Sequence, residues 1–240
     1  MNHLRRLALL ALGLSMCSCI PTDPTGNWGL FPGATGVNSS GSTPGVLVLG
    51  DSLIYNANVQ TLADTIRFWR GTDAVVAAAG GASVAHFNSP TLIHPAGLST
   101  IAEYESFFGN VRVTVLALGS NDARIMTAEA GNQYGYSFQE YGQQLSKAIQ
   151  DARAHSSCVL LVGIAPWSLA SPQIVSDVNS LMAWVASSDW RIDFADWGSY
   201  SAGHPEWFAS PGDVHHSEAG KAAYRDYINN WLASMLGGGC

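Results

Sequence analysis

The sequence predicts an α/β fold in which helices cover both faces of a mostly parallel sheet. Five short apolar runs, rich in Val, Leu and Ala, alternate along the chain with segments of helical periodicity. This alternation is typical of parallel strands joined by crossover helices, and continuous apolar runs are typical of strands buried on both faces. With 240 residues, of which 47% are hydrophobic, the chain is long enough for one domain with a sizeable core.

Each predicted strand is bounded by turn residues or by a helical segment. The first strand ends at Gly50, where we expect a positive φ to allow a sharp turn. The predicted strands cover residues 45–50, 74–79, 111–118, 159–164 and 191–194.

Helix signals lie between these strands. Gly71 is expected to stop the first helix, Pro172 suits a first helical turn, and Ser217 is expected to cap the last helix. The predicted helices cover residues 57–69, 99–108, 138–154, 172–186 and 217–236.

The first 44 residues predict a leader and a tether. Arg5 and Arg6 precede a short apolar run at 7–14, which is the pattern of a secretory signal; a buried N-terminal helix is the alternative. Cys17 and Cys19 follow directly, where lipidation would give a membrane tether in place of a plain cleaved signal. The predicted organisation is a leader at 1–19, a flexible tether at 20–44, the domain at 45–236 and a tail at 237–240.

Charge and cysteine content exclude some classes of protein. The formal charge of −7 becomes more negative when Arg5 and Arg6 are lost with the leader, which argues against nucleic-acid binding. Cys158 begins an apolar run and is expected to be a buried hydrophobe, and Cys240 follows three glycines, so no disulfide framework is predicted.

Small polar clusters follow three predicted strands and precede the last helix. The carboxyl ends of parallel strands gather at one edge of a sheet, so these clusters can meet in one pocket. They are Gly-Asp-Ser at 50–52, Gly-Gly-Ala-Ser at 80–83, Gly-Ser-Asn-Asp at 119–122 and Gly-Asp-Val-His-His-Ser at 212–217.

Together the clusters supply the groups that acyl transfer needs. Ser52 is the candidate nucleophile, a histidine of the last cluster is the candidate base, and Asp213 can orient the imidazole. Asn121 offers a side-chain N–H and Gly81 a backbone N–H to stabilise the oxyanion.

The four clusters resemble the sequence blocks of the GDSL, or SGNH, hydrolase family. Gly-Asp-Ser-Leu at 50–53 matches the first block, Gly81 looks like the second-block glycine, and 119–122 matches the third-block Gly-x-Asn-Asp. The resemblance spans residues 45–236. It implies a flavodoxin-like α/β/α sandwich with five strands, a nucleophilic Ser52, and an oxyanion hole made by the N–H groups of Ser52 and Gly81 and the side chain of Asn121.

The last block departs from the family pattern of Asp-x-x-His. Counting from Asp213 points to His216 as the base, whereas Val214 before the histidine and Ser217 after it point to His215. In the second alignment, which we favour, Asp213 must orient the imidazole from an unusual spacing. The remaining histidine is then expected at the rim of the pocket.

Other candidates have weaker patterns. Ser83 lies in a near match to a Gly-x-Ser-x-Gly nucleophile elbow, and Asp51 and Asp122 suit structural hydrogen bonds in turns. The histidines lack metal-ligand spacing, so no metal is predicted; they are His86, His94, His204, His215 and His216. Four further aromatic residues either pack in the ordinary way or form a platform for a sugar ring or acyl chain. These are Trp167, Trp197, Tyr200 and Trp207.

The sequence therefore predicts an exported serine esterase that cleaves small acyl esters, including those of carbohydrates or lipids, without a cofactor. Acyl transfer to a sugar hydroxyl is a close variant. A surface protein that binds a glycan or lipid and has lost activity is the alternative of another class. Neither the substrate nor the oligomeric state follows from the sequence.

Overall fold

The computed structural model describes residues 45–78, 80–84, 111–127 and 136–238. Its centre is a five-stranded sheet in the order β2-β1-β3-β4-β5, in which every neighbouring pair is parallel. This confirms the predicted sheet. The strands are β1 (Val46–Gly50), β2 (Ala74–Ala78), β3 (Val111–Ala117), β4 (Ser156–Val162) and β5 (Ile192–Ala195).

The register brings the ends of the three strands β2, β1 and β3 to one level. Gly50, the last residue of β1, is paired with Ala78 at the end of β2 and with Ala117 at the end of β3. The polar clusters that follow these strands therefore start side by side at the carboxyl edge of the sheet.

Helices follow most strands, and several ends match the expected signals. Gly71 caps the second helix with φ of 63°, Pro172 opens the fifth, and the Ser217 hydroxyl accepts a hydrogen bond from Gly220 N in the first turn of the last helix. The helices are α1 (Ser52–Asn56), α2 (Val59–Arg70), α3 (Ser120–Met126), α4 (Phe138–His155), α5 (Pro172–Ser188), α6 (Trp197–Ser201) and α7 (Glu218–Gly238), with a 3-10 turn at Pro205–Trp207.

Both faces of the sheet are covered, as the three-layer prediction requires. Leu47 and Leu49 of β1 point to the face that α3, α4 and α5 cover. Val46 and Val48 point to the opposite face, which α1, α2 and α7 cover. Because both faces are buried, the strands contain almost no exposed side chains, which explains their continuous apolar runs.

Three local predictions were wrong. β4 begins at Ser156 and ends at Val162 rather than covering 159–164, because the Asn179 side chain takes over both backbone groups of Ile164. Gly50 is not among the glycines with positive φ; it is needed because a Cβ there would overlap the Ile54 side chain. Cys158 is buried as expected, but it is disulfide-bonded.

Some predictions lie outside the described residues: the leader, the tether, the helix at 99–108, and His86 and His94. Within the described ranges, no helix combines the length and apolar character that a membrane span requires.

Candidate active site

Ser52 lies at the turn from β1 into α1, of which it is the first residue. Asp51 caps this helix, since its Oδ1 accepts a hydrogen bond from Leu53 N at 2.8 Å. Ser52 itself is only partly buried, whereas Asp51 and Leu53 on either side are buried. The sharp turn thus presents the Ser52 hydroxyl at the carboxyl edge of the sheet.

The hydroxyl of Ser52 meets the ring of His215. Ser52 Oγ lies 3.3 Å from His215 Nε2. On the other side of the ring, His215 Nδ1 lies 2.9 Å from Asp213 Oδ1. The three side chains form a continuous chain of contacts from hydroxyl to imidazole to carboxylate.

Asp213 holds His215 twice, because its Oδ1 also accepts a hydrogen bond from His215 N at 2.9 Å. Partial burial alone would raise the pKa of the Asp213 carboxyl. The hydrogen bonds from the backbone and ring of His215 outweigh that effect, and the pKa is lowered from its usual value. Asp213 is therefore a carboxylate at neutral pH and can orient the ring.

The loop that carries His215 is fixed from three sides. Gly212 has φ of 78° and its carbonyl accepts a hydrogen bond from Ser168 N at 2.8 Å, in the loop after β4. The carbonyl of His215 accepts one from Ala209 N at 2.8 Å. His216 forms an isolated antiparallel bridge with Phe208. These contacts set the direction of the His215 ring.

His216 points into the core instead of the pocket rim where we expected the second histidine. It is 4% exposed, and neither ring nitrogen has a hydrogen-bond partner in the part of the chain that the structure describes. Its ring packs against Trp197, Tyr224 and Phe208 at centroid distances of 5.3, 4.7 and 5.9 Å. Burial, followed by the proximity of His215, lowers the pKa of His216 to about 4. It is a neutral core residue at physiological pH.

Gly81 and Asn121 lie just after the two strands that flank β1, which leads to Ser52. Gly81 follows β2 with φ of 78°, and Asn121, which is 7% exposed, lies in the first turn of α3 after β3. The start of α3 and the loop after β2 are joined directly, since Asn121 Nδ2 donates a hydrogen bond to Ala82 O at 2.9 Å. An amide nitrogen carries two N–H groups, so Asn121 can hold the loop and still donate to a ligand.

Two buried carboxyls lie behind this edge. Asp51 is 1% exposed and Asp122 is fully buried. Burial raises the pKa of Asp51 to about 7, the hydrogen bond from Leu53 N opposes this rise, and the charge of Asp122 adds to it. Asp122 accepts hydrogen bonds from Val84 N at 2.9 Å and from the Tyr136 hydroxyl at 3.0 Å.

The sequence did not indicate a role for Tyr136, because no motif links this residue to the third block.

The structure gives other surroundings to several of the remaining candidates. Ser83 is fully buried, which argues against its being a nucleophile, and Trp197 is fully buried and is not part of a surface platform. His204 Nδ1 contacts Glu206 Oε1 at 2.8 Å, and its ring stacks on Trp207. Among the described residues, no group of three or more His, Cys, Asp or Glu side chains is placed to hold a metal ion.

Solved structures share this fold over most of the chain. The C-terminal catalytic domain of the peptidoglycan O-acetyltransferase A of Streptococcus pneumoniae matches 81% of this chain and 95% of its own length, with a TM-score of 0.59 and 18% identity. An acetylxylan esterase from Geobacillus stearothermophilus matches 79% and 94%, with a TM-score of 0.60 and 12% identity. A proposed SGNH hydrolase from Slackia heliotrinireducens matches 78% and 97%, with a TM-score of 0.54 and 16% identity.

No protein-family model and no curated protein sequence matches the chain. The structural matches define the class of fold: the chain has the fold of the SGNH hydrolases. At this level of identity they do not define an activity, which has to be argued from the site.

Proposed function

We propose that this protein is a serine esterase of the SGNH type that acts on small acyl esters. The single observation that carries the proposal is the contact chain from Ser52 Oγ through His215 to Asp213. A hydroxyl, an imidazole and a carboxylate in this order are the parts of a nucleophile, its base and the group that orients the base.

The proposed reaction assigns a step to each of these groups. With Nδ1–H donating to Asp213, the Nε2 of His215 can accept the proton of Ser52 while Oγ attacks the carbonyl carbon of the ester. The resulting oxyanion accepts hydrogen bonds from the N–H groups of Ser52 and Gly81 and from Asn121. His215 then gives the proton to the leaving alcohol. Water, activated by the same imidazole, hydrolyses the acyl-enzyme and regenerates Ser52.

Acetylated carbohydrates are the substrate class that we propose first. Two of the structures that share the fold are named for acetyl transfer on peptidoglycan and for acetylxylan hydrolysis. A sugar hydroxyl in place of water would turn the same steps into acyl transfer. Export, with or without lipidation at Cys17 or Cys19, is a further proposal that rests on the sequence of the leader.

The first test is hydrolysis of p-nitrophenyl acetate and of acetylated oligosaccharides by wild type and four variants. We expect Ser52→Ala and His215→Ala to lose at least about 10³-fold in kcat, and Asp213→Asn to lose about 10²- to 10⁴-fold. Ser83→Ala tests the other candidate nucleophile, and it should still turn over ester because Ser83 is buried away from solvent and Ser52 is intact.

A fluorophosphonate probe gives a second readout, because it should label wild type but not Ser52→Ala. Full activity in Ser52→Ala would contradict the assignment of the nucleophile. A wild-type protein that turns over no ester and takes no label would favour the inactive binding protein instead. Transfer of acetate to an added oligosaccharide, measured in the same reactions, separates a transferase from a hydrolase.

A further inference from the structure

Two successive residues at the start of α3 hold the loop that carries Gly81. Asn121 Nδ2 donates to Ala82 O at 2.9 Å, and Asp122 Oδ2 accepts from Val84 N at 2.9 Å. Both bonds cross from β3 to the loop after β2. The position of the Gly81 N–H therefore depends on the orientation of these two side chains.

The Asp122 carboxylate is in turn oriented from a third segment. It is fully buried, and its Oδ1 accepts a hydrogen bond from the Tyr136 hydroxyl at 3.0 Å. Tyr136 is 5% exposed and directly precedes Ser137, which caps α4 with a capping box. Burial and then the charge of Asp122 raise the pKa of the Tyr136 hydroxyl, so the phenol stays protonated and remains a donor.

We propose that Tyr136 is a positioning residue for the oxyanion hole, acting through Asp122 on the loop that carries Gly81. A buried carboxylate keeps one orientation only while its oxygens are satisfied. The Tyr136 phenol donates to Oδ1 of Asp122, and this orientation lets Oδ2 accept from Val84 N. This inference rests on the proposed esterase function.

Tyr141 provides a matched control in the same region. It is also fully buried, five positions further along the chain, and the charge of Asp122 contributes to the rise of its pKa. Its hydroxyl, however, has no hydrogen-bond partner among the residues that the structure describes. Tyr136→Phe and Tyr141→Phe thus remove the same atom from two buried rings, and only the first removal breaks a bond to Asp122.

The experiment compares kcat and KM for p-nitrophenyl acetate in the two variants and in Asp122→Asn. We expect Tyr136→Phe to lower kcat about 10-fold, less than the ~10²–10³ lost with a whole oxyanion donor, and to change KM by less than about 2-fold. Tyr141→Phe should keep the wild-type kcat. Asp122→Asn should lower kcat at least as far as Tyr136→Phe. An unchanged kcat in Tyr136→Phe, or equal losses in both tyrosine variants, would overturn the proposal.

An NMR measurement keeps this inference separate from the proposed function. The amide resonances of Gly81 and Val84 should shift in Tyr136→Phe and stay in place in Tyr141→Phe. If wild type has no esterase activity, the proposed function fails, and these shifts alone decide whether Tyr136 orients the loop. If the amides do not move in Tyr136→Phe, the positioning role is overturned whatever the activity.

Discussion

Asp213 reaches the ring of His215 from only two positions upstream, one fewer than in the family pattern. The residue in the family position is Gly212, whose φ of 78° belongs to a region that disfavours other side chains. Asp213 follows that turn, and one of its carboxylate oxygens contacts both the backbone N and the ring Nδ1 of His215. A Ser-His-Asp arrangement is thus compatible with glycine at 212, the usual position of the acid, and aspartate at 213.

His216 makes the stability of the fold sensitive to acid. Its pKa falls from 6.5 to about 4 on folding, so the unfolded chain binds more protons between these pH values. Stability due to neutral His216 is present above pH 6.5 and is lost as the pH falls toward 4. A shift of this size corresponds to about 3 kcal/mol. We expect His216→Phe, which keeps an aromatic ring against Trp197, to lose less stability on acidification.

The measurement is urea unfolding of wild type and His216→Phe at pH 7.5, 6 and 4.5. The raised pKa of Asp51 acts in the opposite direction over the same range, because a buried acid is stabilised by protonation. The difference between the two proteins cancels this contribution. If the two free energies of unfolding change in parallel with pH, His216 is not the acid-sensitive group. The same variant should keep its kcat at pH 7.5, since His216 does not contact Ser52.

At the level of elements, the packing of α7 against the 3-10 turn at Pro205–Trp207 supports the His215 loop. Ser217 N donates to Trp207 O at 2.9 Å, and a Cβ on Gly220 would overlap that same carbonyl. Backbone atoms cannot move aside as a flexible side chain can. Gly220→Ala is therefore expected to cost more than about 2 kcal/mol and to lower kcat by displacing the loop.

Gly237 is the control for this prediction, because it lies in the same helix and a Cβ added to it would meet open space. Gly237→Ala should leave kcat unchanged and stabilise the protein by up to about 1 kcal/mol, since alanine favours a helix. Thermal unfolding and ester hydrolysis of both variants check the pair. A Gly220→Ala protein as stable and active as Gly237→Ala would show that this close contact does not support the site.

The elements that the sequence predicted well are those with a long or strong pattern. Five apolar runs predicted five strands, but α1, α3 and α6 are helices of five to seven residues, too short to show a helical period. The end of β4 depends on Asn179, which is remote in sequence from the strand. The sequence left two candidates for the base, His215 and His216, because their roles depend on which ring faces the pocket. The backbone bridge of His216 with Phe208 accompanies the inward position of the His216 ring, and residue spacing does not encode that bridge.

On the scale of the whole molecule, the described residues of the candidate site depend on the assembled sheet. Ser52, Gly81 and Asn121 follow three adjacent strands, and His215 lies between β5 and α7, so the site forms only when the whole sheet edge is assembled. Two apolar clusters, one on each face, hold that sheet. We therefore expect a core substitution far from the site to lower activity only by unfolding the whole domain.

Leu145→Ala tests this expectation. Leu145 of α4 is 1% exposed in the core, and its truncation should cost about 2–5 kcal/mol, lowering Tm by on the order of 5–15 °C. Below the transition, kcat should equal that of wild type, because the sheet edge is intact in every folded molecule. Leu169→Ala, at a position that is 54% exposed, is the control and should leave Tm nearly unchanged. Loss of ester hydrolysis and loss of far-UV circular dichroism should coincide on heating. If activity disappears at a lower temperature than the helical signal, the catalytic edge unfolds on its own, and the sheet does not bind the site and core into one cooperative unit.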